Sequence, residues 1–154
     1  MIDNIDRKII ARLTRDGRAS VETVAQAVGL SPTPTRRRIR RLEETGVIRG
    51  VRADIDAEKC GLELAIYVFI KLLNRDRKTI SDFESRIMAL PEVQRCDLIT
   101  GPHDYILMLR LAGMTDYNRY LREVLAELPG VSGIETSVVI GKVKDRPYLP
   151  LDPV

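Results

Sequence analysis

A chain of 154 residues allows one or two small domains with proper cores. Its two cysteines, Cys60 and Cys96, show neither a disulfide framework nor metal-ligand spacing and point to a reducing cytosol; the apolar runs are strand-sized, which excludes a membrane helix, and the first residues lack the n- and h-regions of a secretory leader. The formal charge of +3 is uneven: residues 1–60 hold 13 basic and 9 acidic side chains, a balance of +4, and the remainder 12 and 13, a balance of −1, so the front is the part fitted to meet an anion.

The first predicted helix spans Asp3 to Arg15. Asp3 can cap it, and Asp6 in its first turn suits the positive end of the helix dipole. Ile5, Ile9, Ile10 and Leu13 recur at helical spacing and form a buried stripe. Asp16-Gly17-Arg18 is a stop and turn. A second helix starts at the Ser20 cap with Val21, Val24, Ala25 and Val28 on its apolar face. The small Ala25 marks a close helix crossing, and Gly29 supplies the left-handed residue that ends the helix. Leu30 is expected to plug the core and Ser31 to cap the third helix. Pro32 and Pro34 fall in that helix's first turn, where backbone N–H groups have no intrahelical partner. Helix three runs to about Glu44, Thr45-Gly46 ends it, and residues 47–53 read as a short wing or linking strand.

The rest holds a repeat. Leu90-Pro91-Glu92-Val93 and Leu128-Pro129-Gly130-Val131 each follow a helix-patterned stretch, about 79–89 and 115–127, and precede a strand. An apolar strand lies before each helix, Leu64 to Leu73 and Tyr105 to Leu111. This is β-α-β twice, joined at Gly101-Pro102-His103-Asp104, the pattern of a ferredoxin-like βαββαβ sandwich with both helices on one face of an antiparallel sheet. The fold class is therefore α+β: a winged helix-turn-helix of three helices over residues 1–50, a linker strand over 51–62, the sandwich over 63–144 and a tail over 145–154. Tyr67 and Phe69 alternate with Val68 and Ile70 in the first sandwich strand. Both faces of that strand are apolar, so the face without helices calls for a second subunit. Phe83, Tyr117 and Tyr120 read as core or rim, and the two cysteines as packed thiols.

Five arginines, Arg36, Arg37, Arg38, Arg40 and Arg41, crowd helix three. So much like charge on a short helix is unfavourable unless a polyanion neutralises it, and the DNA backbone is suited to that. On a wheel of about 100° per residue, Thr35, Ile39, Leu42 and Gly46 mark the buried side. Thr33, Arg37, Arg40 and Arg41 point away from it, with Arg36 and Arg38 at the edges. The DNA-binding set drawn from this segment is Ser31, Thr33, Thr35, Arg36, Arg37, Arg38, Arg40 and Arg41. Thr33, Arg36 and Arg37 are assigned to base readout, and Arg38, Arg40 and Arg41 largely to phosphates.

Ordered along nearly the whole chain are Ile5-Asp6-Arg7-Lys8-Ile9-Ile10, Val28-Gly29-Leu30-Ser31-Pro32-Thr33-Pro34, Arg40-Arg41-Leu42-Glu43-Glu44-Thr45-Gly46-Val47-Ile48, Thr100-Gly101-Pro102-His103-Asp104-Tyr105 and Leu128-Pro129-Gly130-Val131. In that order they resemble the Lrp/AsnC family, the feast/famine regulators of bacteria and archaea. The resemblance implies a RAM/ACT-like sensing sandwich and dimers that often associate further into tetramers, octamers or sixteen-mers. It also implies control of amino-acid metabolism or transport in a prokaryotic, nucleoid-associated cytoplasmic setting, with an amino acid as effector. Carried onto this chain, the family's effector pocket between dimers falls on Leu98, Thr100, Gly101, His103, Asp104, Met114, Glu135, Ser137 and Val139. Gly101 would let the backbone approach a ligand, Asp104 could hold an ammonium group and Ser137 a hydroxyl contact. Pro102 and His103 stand where the family often has an acidic residue and an aromatic. No catalytic residue, metal or cofactor is expected. The alternatives are a ligand-independent architectural DNA-binding protein and an enzyme like the siroheme decarboxylases, which share this two-domain fold but use several histidines where this chain has one.

Overall fold

The computed structural model describes residues 2–145. The tail expected over 145–154 lies, from residue 146, outside the described residues. The chain divides into two compact units, the first reaching Asp54 and the second spanning Ile55–Val143.

The first unit holds α1 (Asn4–Arg15), α2 (Val21–Val28) and α3 (Pro32–Glu44). Asp3 caps α1 reciprocally: its carboxylate accepts the Asp6 N–H at 2.8 Å, and the Asp6 carboxylate accepts the Asp3 N–H at 3.0 Å. Ser20 caps α2 by accepting the Thr23 N–H at 3.1 Å, and Gly29 ends it in the left-handed region at φ 72°. Ser31 occupies the cap position of α3, but its hydroxyl makes no capping bond. The reason is local: a cap side chain bonds the second or third helical N–H, and Pro34 has removed the third. Thr35 binds back instead, its hydroxyl donating to the Ser31 carbonyl at 2.9 Å.

Ile9, Ile10, Val24 and Leu42 form the centre of this unit, with Ile5, Leu13, Val28, Ile39 and Ile48 packed around them. Ala25 is buried at the crossing as expected. Leu30 is only half-buried and lies outside the cluster, its N–H closing the turn on the Ala25 carbonyl at 3.0 Å. Residues 47–53 form no strand. The Ile48 N–H turns back to the Leu42 carbonyl at 2.9 Å and its side chain packs on the helices, so the segment continues the helical core rather than starting a ladder.

The second unit is a four-stranded antiparallel sheet of β1 (Leu64–Leu72), β2 (Val93–Leu98), β3 (Tyr105–Leu111) and β4 (Val131–Val138), in the order β2-β3-β1-β4. Between the strands run α4 (Arg77–Met88) and α5 (Met114–Tyr120). Strand alternation sends Ile66, Val68, Ile70 and Leu72 of β1 and Leu107 and Leu109 of β3 to the helix side, where they bury Phe83, Ile87, Tyr117 and Tyr120. The second helix was expected to run regularly to about residue 127. Instead Leu121–Leu125 make a π turn, with the Ala126 N–H on the Leu121 carbonyl at 2.9 Å. Tyr120 and Leu125, five apart, are both buried, a spacing that the π turn accommodates and a 3.6-residue period does not.

Gly130 pins the turn into β4. Its φ is 72°, and a β-carbon there would lie 2.2 Å from the Thr79 methyl of α4. Helix and turn thus meet backbone to side chain, an approach only glycine permits.

Candidate nucleic-acid interface and effector region

The structure splits the five arginines of α3. Arg36, Arg37 and Arg40 are exposed, with Arg36 3.9 Å from Glu22, and Thr33 stands exposed in the same helix's first turn. Arg38 turns to α1: its Nη1 donates to Asp3 at 2.6 Å and to Asp6 at 2.8 Å. Arg41 follows, donating through Nη2 to the other Asp6 oxygen at 2.5 Å. The Asp6 side chain is fully buried. These bonds hold the Arg38 guanidinium above its ordinary pKa, Asp3 first and Asp6 second. Asp3 is held below the carboxylate range, chiefly by the Asp6 N–H and then by Arg38. A carboxylate taken out of water needs such partners, and removing one side of a buried pair generally costs about 3–5 kcal/mol.

Three residues of the assigned DNA-binding set have partners within the fold. Thr35 is wholly buried with its hydroxyl spent on Ser31, so it is not available to DNA. Arg38 and Arg41 are engaged by α1: Arg38 is mostly covered, whereas Arg41 keeps half of its side chain exposed beside its bond to Asp6. Ser31 is exposed. The sequence reading missed Asp6 as an anchor. It saw only a helix-start acid, because nothing in a single sequence reveals that position 6 faces positions 38 and 41. The spacing of 38 and 41, three apart and so on one helix face, was the available signal.

The expected effector residues fall at two places on the sandwich. Leu98, Thr100, Gly101, His103 and Asp104 surround the loop between β2 and β3. Met114 opens α5, beyond the opposite end of β3, and the Val139 N–H bonds the Ala65 carbonyl at 3.0 Å near that same end. The seven residues of β3 separate these ends by about 20 Å at ordinary strand rise. A single subunit therefore does not close one pocket from this set.

Asp104 is not a free carboxylate. It is buried; Oδ2 accepts the Leu72 N–H at 2.8 Å and Oδ1 meets Arg75 Nε at 2.6 Å. Its own N–H goes to the Ile70 carbonyl at 2.8 Å and its carbonyl receives the Ile99 N–H at 2.9 Å. Its carboxylate thus ties the loop to β1 and to the exposed Arg75 side chain. Gly101 takes φ 122° at the loop's apex, backbone that other residues rarely adopt. His103 lies half-buried, its Nε2 3.2 Å from Glu135 of β4 and its ring 5.3 Å from Phe69.

His103, Phe69 and Glu135 belong to the sheet face that carries no helix. With them stand Tyr67, Ile106, Met108 and Ser137, and Tyr67, Arg95, Asp97, Ile106 and Met108 line a shallow groove. Tyr67 is 38% exposed, so part of this apolar face is open to solvent. Of the thiols, Cys96 is half-buried and pushed up to about 11, by burial first and then by Asp97 and Glu84. Cys60 is exposed, against the expectation of packing.

Comparison with known proteins gives two family matches. Residues 2–43 match the AsnC-type helix-turn-helix domain, and residues 65–149 the Lrp/AsnC ligand binding domain. Among curated relatives, a leucine-responsive regulatory protein of Haemophilus influenzae is 40% identical over 150 residues, covering 97% of this chain and 90% of the relative. The Bkd operon transcriptional regulator of Pseudomonas aeruginosa is 38% identical over 150 residues, covering 97% and 98%. Among solved structures, a Neisseria meningitidis transcriptional regulator in complex with L-Met superposes with a TM-score of 0.93 at 28% identity, covering 99% of this chain and 98% of that one.

Proposed function

Because the chain belongs to the Lrp/AsnC family of transcriptional regulators, we propose that it presents two copies of α3 from a dimer to a pseudo-palindromic DNA site, and that an amino acid tunes this binding. It is a DNA-binding regulator and not an enzyme. The observation that carries the reading is the outward face of α3, where Thr33, Arg36, Arg37 and Arg40 stand exposed on a helix seated by Asp6 and Leu42. Thr33, Arg36 and Arg37, nearest the helix start, read base edges, and Arg40 takes a phosphate. An Arg bidentate to guanine contributes roughly 1–3 kcal/mol of discrimination.

The dimer forms through the open sheet face, where Tyr67, Phe69, Ile106 and Met108 find cover against a second copy. Further association into tetramers or octamers would bring the β2–β3 loop of one dimer to another. The two separated groups of effector residues support this arrangement: Leu98, Thr100, Gly101 and His103 from one subunit are completed by Met114 and Val139 from another, with Glu135 and Ser137 between. The effector is an amino acid, and the regulated genes serve amino-acid metabolism or transport, as the names of the relatives suggest for those proteins. The setting is the cytoplasm and nucleoid, and no helix among the described residues is long and apolar enough to cross a membrane. Ligand control requires the effector to prefer one assembly over another.

Selection of genomic fragments on the purified protein, with and without an amino-acid pool, tests this. A few discrete sites whose enrichment shifts with the pool support it. Discrete sites indifferent to the pool remove the effector. Equal capture of all fragments points to an architectural DNA binder, and no capture at moderate salt sinks the DNA reading.

A further inference from the structure

Resting on the DNA-binding reading, we propose that Asp6 is a specificity-determining positioning residue, which withholds Arg38 and Arg41 from the phosphate backbone. Non-specific affinity grows with every cation that can displace a counterion, whatever the sequence beneath it, whereas discrimination comes from groups on base edges. A helix offering five free arginines would hold all DNA tightly and distinguish little. In this protein the two carboxylates of Asp3 and Asp6 face the two guanidiniums of Arg38 and Arg41, and the group is neutral as a whole. Asp6 makes the arrangement durable. It is fully buried, and each of its oxygens takes a different arginine, so solution ions cannot compete for it as they would for a surface pair. Arg38 is held by two carboxylates at 2.6 and 2.8 Å with 24% of its side chain exposed. Arg36, Arg37 and Arg40 are bound by neither Asp3 nor Asp6, while Arg41 keeps half of its side chain exposed with its charge matched by Asp6. Asp6 touches no DNA itself. It sets how much of the affinity of α3 is indifferent to sequence.

The test is the salt dependence of binding to a labelled random-sequence duplex of about 30 base pairs, using the full chain at a series of sodium chloride concentrations. Arg40→Gln should flatten the plot of log affinity against log salt by about 0.9 per DNA-binding head, the loss of one phosphate contact. Arg38→Gln and Arg41→Gln should leave the slope unchanged. Asp6→Asn frees Arg41 while Asp3 still holds Arg38, so it should steepen the slope by about 0.9 per head, and affinity should fall about 3.5-fold more per head between 50 and 200 mM salt than in the wild type. The same variant should tighten on random duplex at low salt and lose discrimination in favour of a selected genomic fragment. A purely structural Asp6 would instead weaken both duplexes together. Asp3→Asn removes the same single charge and loosens Arg38, so it should steepen the slope by a similar amount, and it serves as the second variant if Asp6→Asn unfolds by circular dichroism. The proposal is overturned if Arg38→Gln and Arg41→Gln flatten the slope as Arg40→Gln does, or if folded Asp6→Asn, or Asp3→Asn in its place, leaves it unmoved. Failure of the wild type to bind random duplex even at low salt would overturn the DNA reading itself, and is recognised before any variant is compared.

Discussion

Arg75 closes on Asp104 with its Nε 2.6 Å from Oδ1, while the other oxygen of Asp104 accepts the Leu72 N–H from the end of β1. One buried carboxylate thereby fastens the β2–β3 loop to the neighbouring strand. Replacing it by alanine strands a buried N–H and frees the loop. Asp104→Ala should destabilise the sandwich by about 2–3 kcal/mol, from the orphaned donor and the lost charge-assisted bond. A thermal melt checks this; an unchanged midpoint would return Asp104 to the list of direct ligand contacts.

His103, with the exposed Thr100, is a polar group of that loop still able to meet a ligand. Losing a hydrogen bond to a charged group is worth about 1.5–3 kcal/mol, so His103→Ala should weaken amino-acid binding by roughly tenfold or more without lowering the melting temperature as Asp104→Ala does. Calorimetric titration with the amino acid found to shift DNA selection measures it. Equal affinities in variant and wild type would remove His103 from the site.

A charge placed on the open sheet face should split the dimer. In Phe69→Lys and Met108→Glu, a desolvated charge would face apolar surface in the associated state. Mass measured by light scattering on a sizing column should fall to that of one chain at micromolar concentration. Retention of the wild-type mass would move the interface elsewhere.

The turn at Gly130 gives a two-part stability test. Gly130→Ala should cost about 1–2 kcal/mol for the left-handed backbone, and more for the approach to Thr79. Adding Thr79→Ser removes the offending methyl but keeps the hydroxyl that donates to Asp76. The double variant should recover the steric part of the loss and retain the backbone part. If denaturant midpoints of the double and single variants coincide, the contact with Thr79 is not the cause.

Thiol chemistry separates the cysteines. With its pKa pushed up to about 11 by burial, Cys96 at pH 8 carries little thiolate, which is the reactive form. Alkylation there should run about a hundredfold slower than for a free thiol of pKa near 8.5 and quicken as pH rises toward 11. Exposed Cys60 should be modified first, as peptide mapping after brief treatment would show. Comparable labelling of both at pH 8 would contradict the burial of Cys96.

The features legible in the sequence were those set by neighbours in the chain. The Asp3 and Ser20 caps, the Gly29 stop and the stripe through Ile9 and Ile10 rest on local spacing, and so does the alternation that sent Val68 inward and Tyr67 outward. The features that escaped are set across the fold. No period announces that Asp6 lies against Arg38 and Arg41, and Asp104, which the resemblance set against an ammonium group, meets the Leu72 N–H only because β1 runs beside its loop. Residues 47–53 have the composition of a strand, yet Ile48 was claimed by the helical core. The π turn at Leu121–Leu125 escaped because Tyr120 and Leu125 are both buried at a spacing that a regular helix does not favour.

Because the partners of Arg38 and Arg41 sit on α1, some thirty residues upstream, α3 is not a portable module. Transplanted alone onto another scaffold, it would arrive with two additional unneutralised cations and behave as a general polyanion adhesive. A graft meant to carry its preference for particular sequences must bring Asp3 and Asp6 along, with the first turn of α1 to hold them. By the same logic, natural change at position 6 should travel together with change at positions 38 and 41.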